Sequence, residues 1–144
     1  ETPVIGFAGD GAFGISMSEM SSCARKEWPK ITMVIFRNYQ WGAEKRNSIL
    51  WYDDNFVGTE LDPELSYAKI ANACGLKGVA VKTMEETTKA IKQSCEDQEK
   101  GITTFIEIIL NQELGEPFRR DAMKKPVKVA GINKDDMIPQ KTGN

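Results

Sequence analysis

Short apolar runs alternate with amphipathic stretches from residue 3 to residue 110. The runs at 3–8, 31–36, 78–82 and 103–110 are apolar at nearly every position, which is typical of parallel strands covered on both faces. Helical patterns separate these runs, except between 37 and 60. The order β-α-β-loop-α-β-α-β predicts an α/β fold, a three-layer, mostly parallel sheet with helices on both faces and right-handed crossovers.

Polar residues mark the expected starts of three helices. Ser16 with Glu19 and Thr83 with Glu86 have the spacing of a capping box, and Asp62 precedes a proline at the first helical position. We expect each helix to bury its apolar side and to end at a proline or glycine. The residues on which this depends are Met17, Met20, Cys23, Ala24 and Pro29 in the first helix, Leu65, Ala68, Ile70, Ala71 and Gly75 in the second, and Gly101 after the third.

Helical or strand periodicity is absent between Arg37 and about Glu60. The segment is rich in polar and aromatic side chains, and it predicts a long loop without regular structure. Such loops in compact domains are usually functional, although a surface excursion with its aromatic rings pinned to the core is the alternative. Core packing is the favoured role of Trp41, Trp51 and Tyr52, ahead of contact with a partner domain.

Composition narrows the class of protein. The chain has 144 residues, enough for one domain with a real core, and a net charge of −2 gives no reason to expect nucleic acid or an anionic membrane as partner. No apolar run approaches the ~20 residues of a membrane span. Its three cysteines are widely spaced, which favours a reduced cytoplasmic setting. The start at Glu1-Thr2-Pro3, directly before a strand, predicts a piece of a longer protein, truncated at its N-terminus.

A glycine-rich turn follows the first strand, and three hypotheses compete for it. Residues 9–14 match the dinucleotide pattern GxGxxG between a strand and a helix. The second strand, however, ends in Arg37-Asn38 and lacks the carboxylate that binds a ribose, so only an NADP form with Arg37 at the 2′-phosphate survives. A tight turn that binds nothing is the second hypothesis.

The third hypothesis is a divalent metal that carries a diphosphate. Asp10 and Asn38 stand at the carboxyl ends of two expected neighbouring strands, where an α/β sheet binds ligands. Mg²⁺ prefers such oxygen ligands and takes the rest from phosphate and water. The backbone N–H groups of Gly11 and Ala12 would meet the phosphate oxygens. This hypothesis accounts for Asp10 and Asn38 together, and we favour it.

Gly9-Asp10-Gly11, a spacer from position 12 to position 37 (26 residues) and then Asn38 resemble the motif of thiamine diphosphate enzymes. That motif usually ends in Asn-Asn, whereas Arg37 stands here in place of the first asparagine; the second is the metal ligand, so the resemblance leaves coordination intact. It implies a thiamine diphosphate-binding fold with Asp10, Asn38 and the Gln40 carbonyl as protein ligands to Mg²⁺. The cofactor-binding residues that it implies are Gly9, Asp10, Gly11, Ala12, Asn38, Gln40, Trp41 and Gly42.

Three stretches narrow the resemblance within the acetolactate synthase-like enzymes: 9–17, 40–45 and 113–122. They are similar to an acetyl-transferring branch, which converts sulfoacetaldehyde and phosphate to acetyl phosphate and sulfite. The similarity covers residues 4 to about 128, which implies a domain at 1–128 and a separate tail at 129–144. An acetolactate synthase-like decarboxylase or ligase, an NADP-binding oxidoreductase module, and an interaction domain without ligand stay open as alternatives.

The resemblance also implies what this chain lacks. The glutamate that activates the cofactor belongs to a pyrimidine-binding domain of a partner subunit, so no catalytic residue is assigned here, Glu19 and Glu44 included. A homo-oligomer is implied, and the chain alone is expected to be inactive. Arg119 and Arg120, within an expected short helix at 119–125, are candidates for binding the small anionic substrate, with a solvated basic helix as the equal alternative. Lys45 and Arg46 have the same two interpretations.

Overall fold

A computed structural model describes residues 2–52 and 55–112, with only the backbone described at 49–51. These residues form two units, which are considered separately. The first unit comprises residues 2–39 and 62–111, and the second comprises the described residues of 40–61 together with residue 112. The expected helix at 119–125, the boundary at 128 and the tail lie outside the described residues.

The first unit is built on a four-stranded parallel sheet, as predicted. Its strands are β1 (Ile5–Gly9), β2 (Thr32–Arg37), β3 (Lys77–Val81) and β4 (Thr104–Ile109). Their order across the sheet is β1-β2-β4-β3, with all three pairs parallel. The carboxyl ends of β1 and β2 are therefore neighbours, as the metal hypothesis requires.

The first helix begins earlier than predicted. Helix α1 (Asp10–Ile15) follows β1 without a loop, and a short 3₁₀ segment (Met17–Glu19) and helix α2 (Met20–Cys23) continue from it. Gly9 has extended backbone and is the N-cap, while Ser16 makes no capping hydrogen bond through its side chain, so the predicted capping box at Ser16 is wrong. Helix α2 also ends before Pro29. Helix α1 begins early because the carboxylate of Asp10, in its first turn, already favours a helix start there.

The second predicted helix start is displaced as well. Helix α4 (Tyr67–Ala73) is capped by Ser66, whose hydroxyl accepts a hydrogen bond from the Lys69 N–H at 3.3 Å. Asp62, the predicted cap, instead accepts from the Glu64 N–H at 2.8 Å within a local turn. The predicted end is confirmed, since Gly75 follows the C-cap residue Cys74 and has a φ of +83°.

Helix α5 (Met84–Glu99) begins with the predicted capping box. Thr83 Oγ1 accepts from the Glu86 N–H at 3.1 Å, and the Glu86 carboxylate accepts from the backbone N–H groups of Lys82 and Thr83. These backbone hydrogen bonds, from Lys82 first, lower the pKa of Glu86.

Two apolar clusters pack on opposite faces of the sheet, which confirms helices on both faces. Residues of β2 and β4 alternate between the clusters, as their period of two requires. The first cluster includes residues of α1, α2 and α4, and the second lies under α5; they consist of Phe13, Met20, Ile35, Tyr67, Ala71 and Phe105, and of Val34, Val81, Ile106 and Ile108.

Strand β1 departs from the expectation of burial on both faces. Phe7 is 62% exposed, and its ring stacks on that of Phe36, which is 39% exposed, with centroids 6.1 Å apart. Among the described residues, no helix covers this end of the β1–β2 face.

The second unit corrects the prediction of a long irregular loop. Helix α3 (Gly42–Trp51) occupies most of that segment. Its sequence has almost no amphipathic pattern, which explains why periodicity did not reveal it. The unit is held by an antiparallel bridge between Gln40 and Glu60 and by the Trp41 N–H, which donates to the Thr59 carbonyl at 2.7 Å. In neither unit is a described helix long and apolar enough to span a membrane.

Candidate functional site

Asp10 is placed at the carboxyl edge of the sheet because it follows β1 directly. It is 1% exposed. Its Oδ2 accepts from the Tyr39 N–H at 2.7 Å and from Arg37 Nη1 at 3.2 Å, and its Oδ1 accepts from the Gly11 N–H at 2.9 Å. These donors hold the carboxylate in one orientation at the junction of β1, α1 and the exit from β2.

Arg37, the last residue of β2, is fully buried, and its guanidinium donates to oxygen atoms of several residues. Besides Asp10, its Nη2 donates to the carbonyl oxygens of Asp62 at 2.5 Å and Leu65 at 3.0 Å. Its Nε lies 3.5 Å from Glu107 Oε1. A buried ion that loses such a partner typically costs about 3–5 kcal/mol.

Glu107 completes a buried charge network on β4, with 1% of the residue exposed. Its Oε2 accepts from the Ser66 hydroxyl at 2.7 Å and from the Ala68 N–H at 3.0 Å. The network of Asp10, Arg37 and Glu107 carries formal charges of −1, +1 and −1, a sum of −1. It joins three neighbouring strands, and a net negative charge at the sheet edge suits a cation.

Two tyrosine rings flank the guanidinium of Arg37. Its Cζ lies 4.3 Å from the ring centroid of Tyr39 and 5.1 Å from that of Tyr67, within the range of cation–π contact. The Tyr67 hydroxyl donates to the Asp10 carbonyl at 2.9 Å. Burial raises the pKa of Tyr67, although Arg37 opposes the rise, so the hydroxyl keeps its proton and stays a donor at neutral pH.

Tyr39 has a φ of +62°, the one positive value that the described residues other than glycine show. Such a conformation costs on the order of 1–3 kcal/mol and is found preferentially at functional sites. It turns the chain just after Asn38 so that the Tyr39 N–H points at Asp10. Asp10 and the segment around Asn38 therefore share one edge of the sheet, as predicted.

The other predicted site residues have different positions. Gly9 is the exposed N-cap of α1, and Gly11 and Ala12 lie in its first turn. Gln40, Trp41 and Gly42 belong to the second unit, where the buried Gln40 donates through Nε2 to the Gln112 carbonyl at 2.9 Å. Arg119 and Arg120 lie outside the described residues.

Lys45 forms an ion pair with Glu60 in the second unit, and its Nζ lies 5.2 Å from the ring centroid of Phe56. The hydrogen bond from Lys45 lowers the pKa of Glu60. Because this ammonium is engaged locally, the structure favours a role in holding α3 over one in binding an anion.

Sequence reasoning missed the role of Arg37. A cation in place of the usual asparagine, after five apolar or β-branched strand residues, has to be buried, and a buried cation needs a carboxylate. That signal was available, but the partners Asp10 and Glu107 lie 27 and 70 positions away along the chain. The burial of Arg37 also removes it as a group that could receive an NADP 2′-phosphate.

The chain belongs to the family of thiamine pyrophosphate enzymes, as their C-terminal TPP binding domain, whose family model matches residues 1–108. Thiamine pyrophosphate (TPP) is thiamine diphosphate. The chain is 71% identical over 141 residues to the probable sulfoacetaldehyde acetyltransferase of Rhizobium meliloti. It is 69% identical over 140 residues to the sulfoacetaldehyde acetyltransferase of Rhodobacter capsulatus.

These matches cover 98% and 97% of this chain and 24% of each relative, so the chain spans about a quarter of their length. Among solved structures, the benzoylformate decarboxylase of Polynucleobacter necessarius superposes with a TM-score of 0.65 at 26% sequence identity. That match covers 78% of this chain and 20% of the other. The thiamine diphosphate-binding fold expected from the sequence is therefore confirmed.

The donor set fits Mg²⁺ rather than a softer metal. Asp10 has a buried, oriented carboxylate, and Asn38, whose side chain is an amide, follows β2 at the same sheet edge. The described residues contain no group of three or more His, Cys, Asp and Glu side chains that could hold a metal by itself. A hard cation that takes its remaining oxygens from carbonyls, phosphate and water suits such a site.

Proposed function

We propose that this chain is the C-terminal cofactor-binding domain of a thiamine diphosphate-dependent acetyltransferase that converts sulfoacetaldehyde and phosphate to acetyl phosphate and sulfite. Family membership supports the cofactor, and the names of the relatives at 71% and 69% identity support the reaction. Because the chain spans about a quarter of those relatives, we propose that the rest of the enzyme lies in further domains.

The observation that carries the proposal is the buried, oriented carboxylate of Asp10 at the shared edge of β1 and β2. We propose that Asp10 and the Asn38 side chain hold Mg²⁺. The segment from Gly9 to Ala12 would contact the diphosphate. Thiamine diphosphate supplies, when bound, the carbon nucleophile on which acyl transfer depends. This chain's part is to bind and orient it.

The remaining roles are proposed for groups outside the described residues. A pyrimidine-binding domain of a partner subunit would supply the activating glutamate, which makes a homo-oligomer the working form. Arg119 and Arg120 are proposed to bind the sulfonate or phosphate, because guanidinium groups match the geometry of such anions.

Calorimetry of thiamine diphosphate binding to the complete enzyme tests the proposal. We expect binding that requires Mg²⁺ and that weakens about tenfold or more in Asp10→Asn, which removes the charge but keeps the shape of the side chain. Asp97→Asn is the matched control, because Asp97 is a buried carboxylate at the amino end of the sheet. Metal-independent binding of NADP, or turnover of sulfoacetaldehyde by this chain alone, would contradict the proposal.

A further inference from the structure

Neither the motif nor the comparisons supply a role for Arg37, which stands at the centre of the buried charge network. It is fully buried, and three of its nitrogens meet four oxygens from different parts of the first unit. Nothing about the stability of a sheet requires a guanidinium at this point, because β2 is otherwise apolar or β-branched. One of these four oxygens, however, is Oδ2 of Asp10, the proposed metal ligand.

We propose that Arg37 is a positioning residue for the metal ligand Asp10, and that Glu107 in turn fixes Arg37. The inference rests on the proposed function of Asp10. Arg37 Nη1 and the Tyr39 N–H both donate to Oδ2, at 3.2 and 2.7 Å, so two donors from the end of β2 set the rotation of the carboxylate.

The orientation of the guanidinium itself is fixed from the opposite side. Glu107 Oε1 lies 3.5 Å from Nε, an ion pair without a hydrogen bond, while its Oε2 accepts from Ser66 and Ala68. The Asp62 and Leu65 carbonyls anchor Nη2. Groups behind a metal ligand that hold it in one orientation typically contribute roughly 10–100-fold in metal affinity.

If Arg37 acted through its charge alone, a substitution that keeps the charge would leave Mg²⁺ binding unchanged. A positioning role predicts weaker binding, so the two can be told apart. A cation beside a metal ligand repels Mg²⁺, so a purely electrostatic Arg37 would weaken metal binding in proportion to its charge. Lysine keeps that charge but cannot reproduce the planar fork that reaches Asp10, Glu107 and the two carbonyls together. Arg37→Lys therefore separates geometry from charge.

The experiment uses Arg37→Lys in the complete enzyme and measures the Mg²⁺ concentration that gives half-maximal binding of thiamine diphosphate, by calorimetry without substrate. We expect that concentration to rise about tenfold or more. Arg25→Lys is the matched control, since Arg25 pairs with Glu27 on the exposed surface, and there we expect no change. Glu107→Gln is the second, gentler variant, because its amide oxygen can still accept from Ser66 and Ala68; we expect a smaller rise.

An Mg²⁺ requirement that is unchanged or lowered in both Arg37→Lys and Glu107→Gln would overturn the inference, even if the melting temperature fell. That pattern would show a structural ion pair. If wild type showed no Mg²⁺-dependent binding, the proposed function itself would fail, so the two failures are distinguishable.

Discussion

Helix α4 approaches the sheet closely at Gly78, in strand β3. A Cβ placed there would lie 1.9 Å from the Ala68 carbonyl oxygen and 2.7 Å from the Ala68 carbonyl carbon. Both are backbone atoms, so the clash cannot be relieved by a change of rotamer. Ala68 also donates its N–H to Glu107, so this contact supports the charge network.

We predict that Gly78→Ala lowers the free energy of unfolding by about 1–3 kcal/mol or more, because α4 would have to move away from β3. Urea denaturation followed by circular dichroism measures the change. Gly75→Asn is the control: nothing lies within 4 Å of a Cβ there, and asparagine tolerates its positive φ. A Gly78→Ala protein as stable as wild type would contradict the close approach.

Among single residues, Arg37 shows what the motif alone does not predict. Asp10 and Asn38 were proposed as a pair because each follows a predicted strand, and the ends of neighbouring parallel strands meet at one edge of the sheet. The contacts of Arg37 were not predicted, because its partners come from α1, β4 and the segment before α4, which only the fold brings together.

Helix α5 illustrates an element whose start is encoded locally. Both halves of its capping box lie within four residues, and both are formed. We predict that Thr83→Ala destabilises the protein by about 1 kcal/mol, because the Glu86 N–H loses its acceptor. Chemical denaturation provides the measurement.

Thr88→Ala is the matched control for that cap. Thr88 lies within the same helix, is exposed, and donates only to the Met84 carbonyl one turn earlier. Since alanine has the higher helix propensity, this variant should be neutral or slightly stabilising. Equal losses in both variants would show that the cap contributes nothing specific.

Helix α3 and the start of helix α4 were predicted wrongly. Helix α3 has almost no apolar stripe, and α4 begins at Tyr67 with Ser66 as its N-cap, although Asp62-Pro63 is the stronger start signal. Glu107 stabilises the start of α4, because it accepts hydrogen bonds from both the Ser66 hydroxyl and the Ala68 N–H. A residue 41 positions away thus helps to determine where the helix begins.

At the scale of the whole molecule, an ion pair between α5 and the start of β3 contributes to stability against acid. Lys77 Nζ lies 2.5 Å from Asp97 Oδ2, and Thr104 Oγ1 donates to the same oxygen at 3.3 Å. Burial alone would raise the pKa of Asp97. The hydrogen bonds from Lys77, Gln93 and Thr104 outweigh it and lower the pKa below the ordinary 3.8.

A lowered pKa in the folded state means that this carboxylate stabilises the protein above the unfolded value of 3.8 and loses that contribution as the pH falls through the folded pKa. We predict that Asp97→Asn costs about 1.5–3 kcal/mol at neutral pH. The difference from wild type should shrink toward zero below pH 3.8.

Urea denaturation at a series of pH values measures this difference. Glu27→Gln is the control, because Glu27 belongs to an exposed ion pair, for which we expect about 0–1 kcal/mol. A loss in Asp97→Asn that is the same at every pH would contradict the assignment to the ionised carboxylate.

The amino-acid sequence by itself determined the parallel α/β fold, the strands, helix α5 and the positions of Asp10 and Asn38, because strand patterns, capping boxes and motif spacings are short-range features. Tertiary structure alone decided where α3 and α4 begin, that Phe7 and Phe36 lie exposed, and that Arg37 is neutralised by Asp10 and Glu107. The physical reason is that a buried charge is satisfied by whichever groups the fold brings within hydrogen-bonding distance, whatever their separation along the chain.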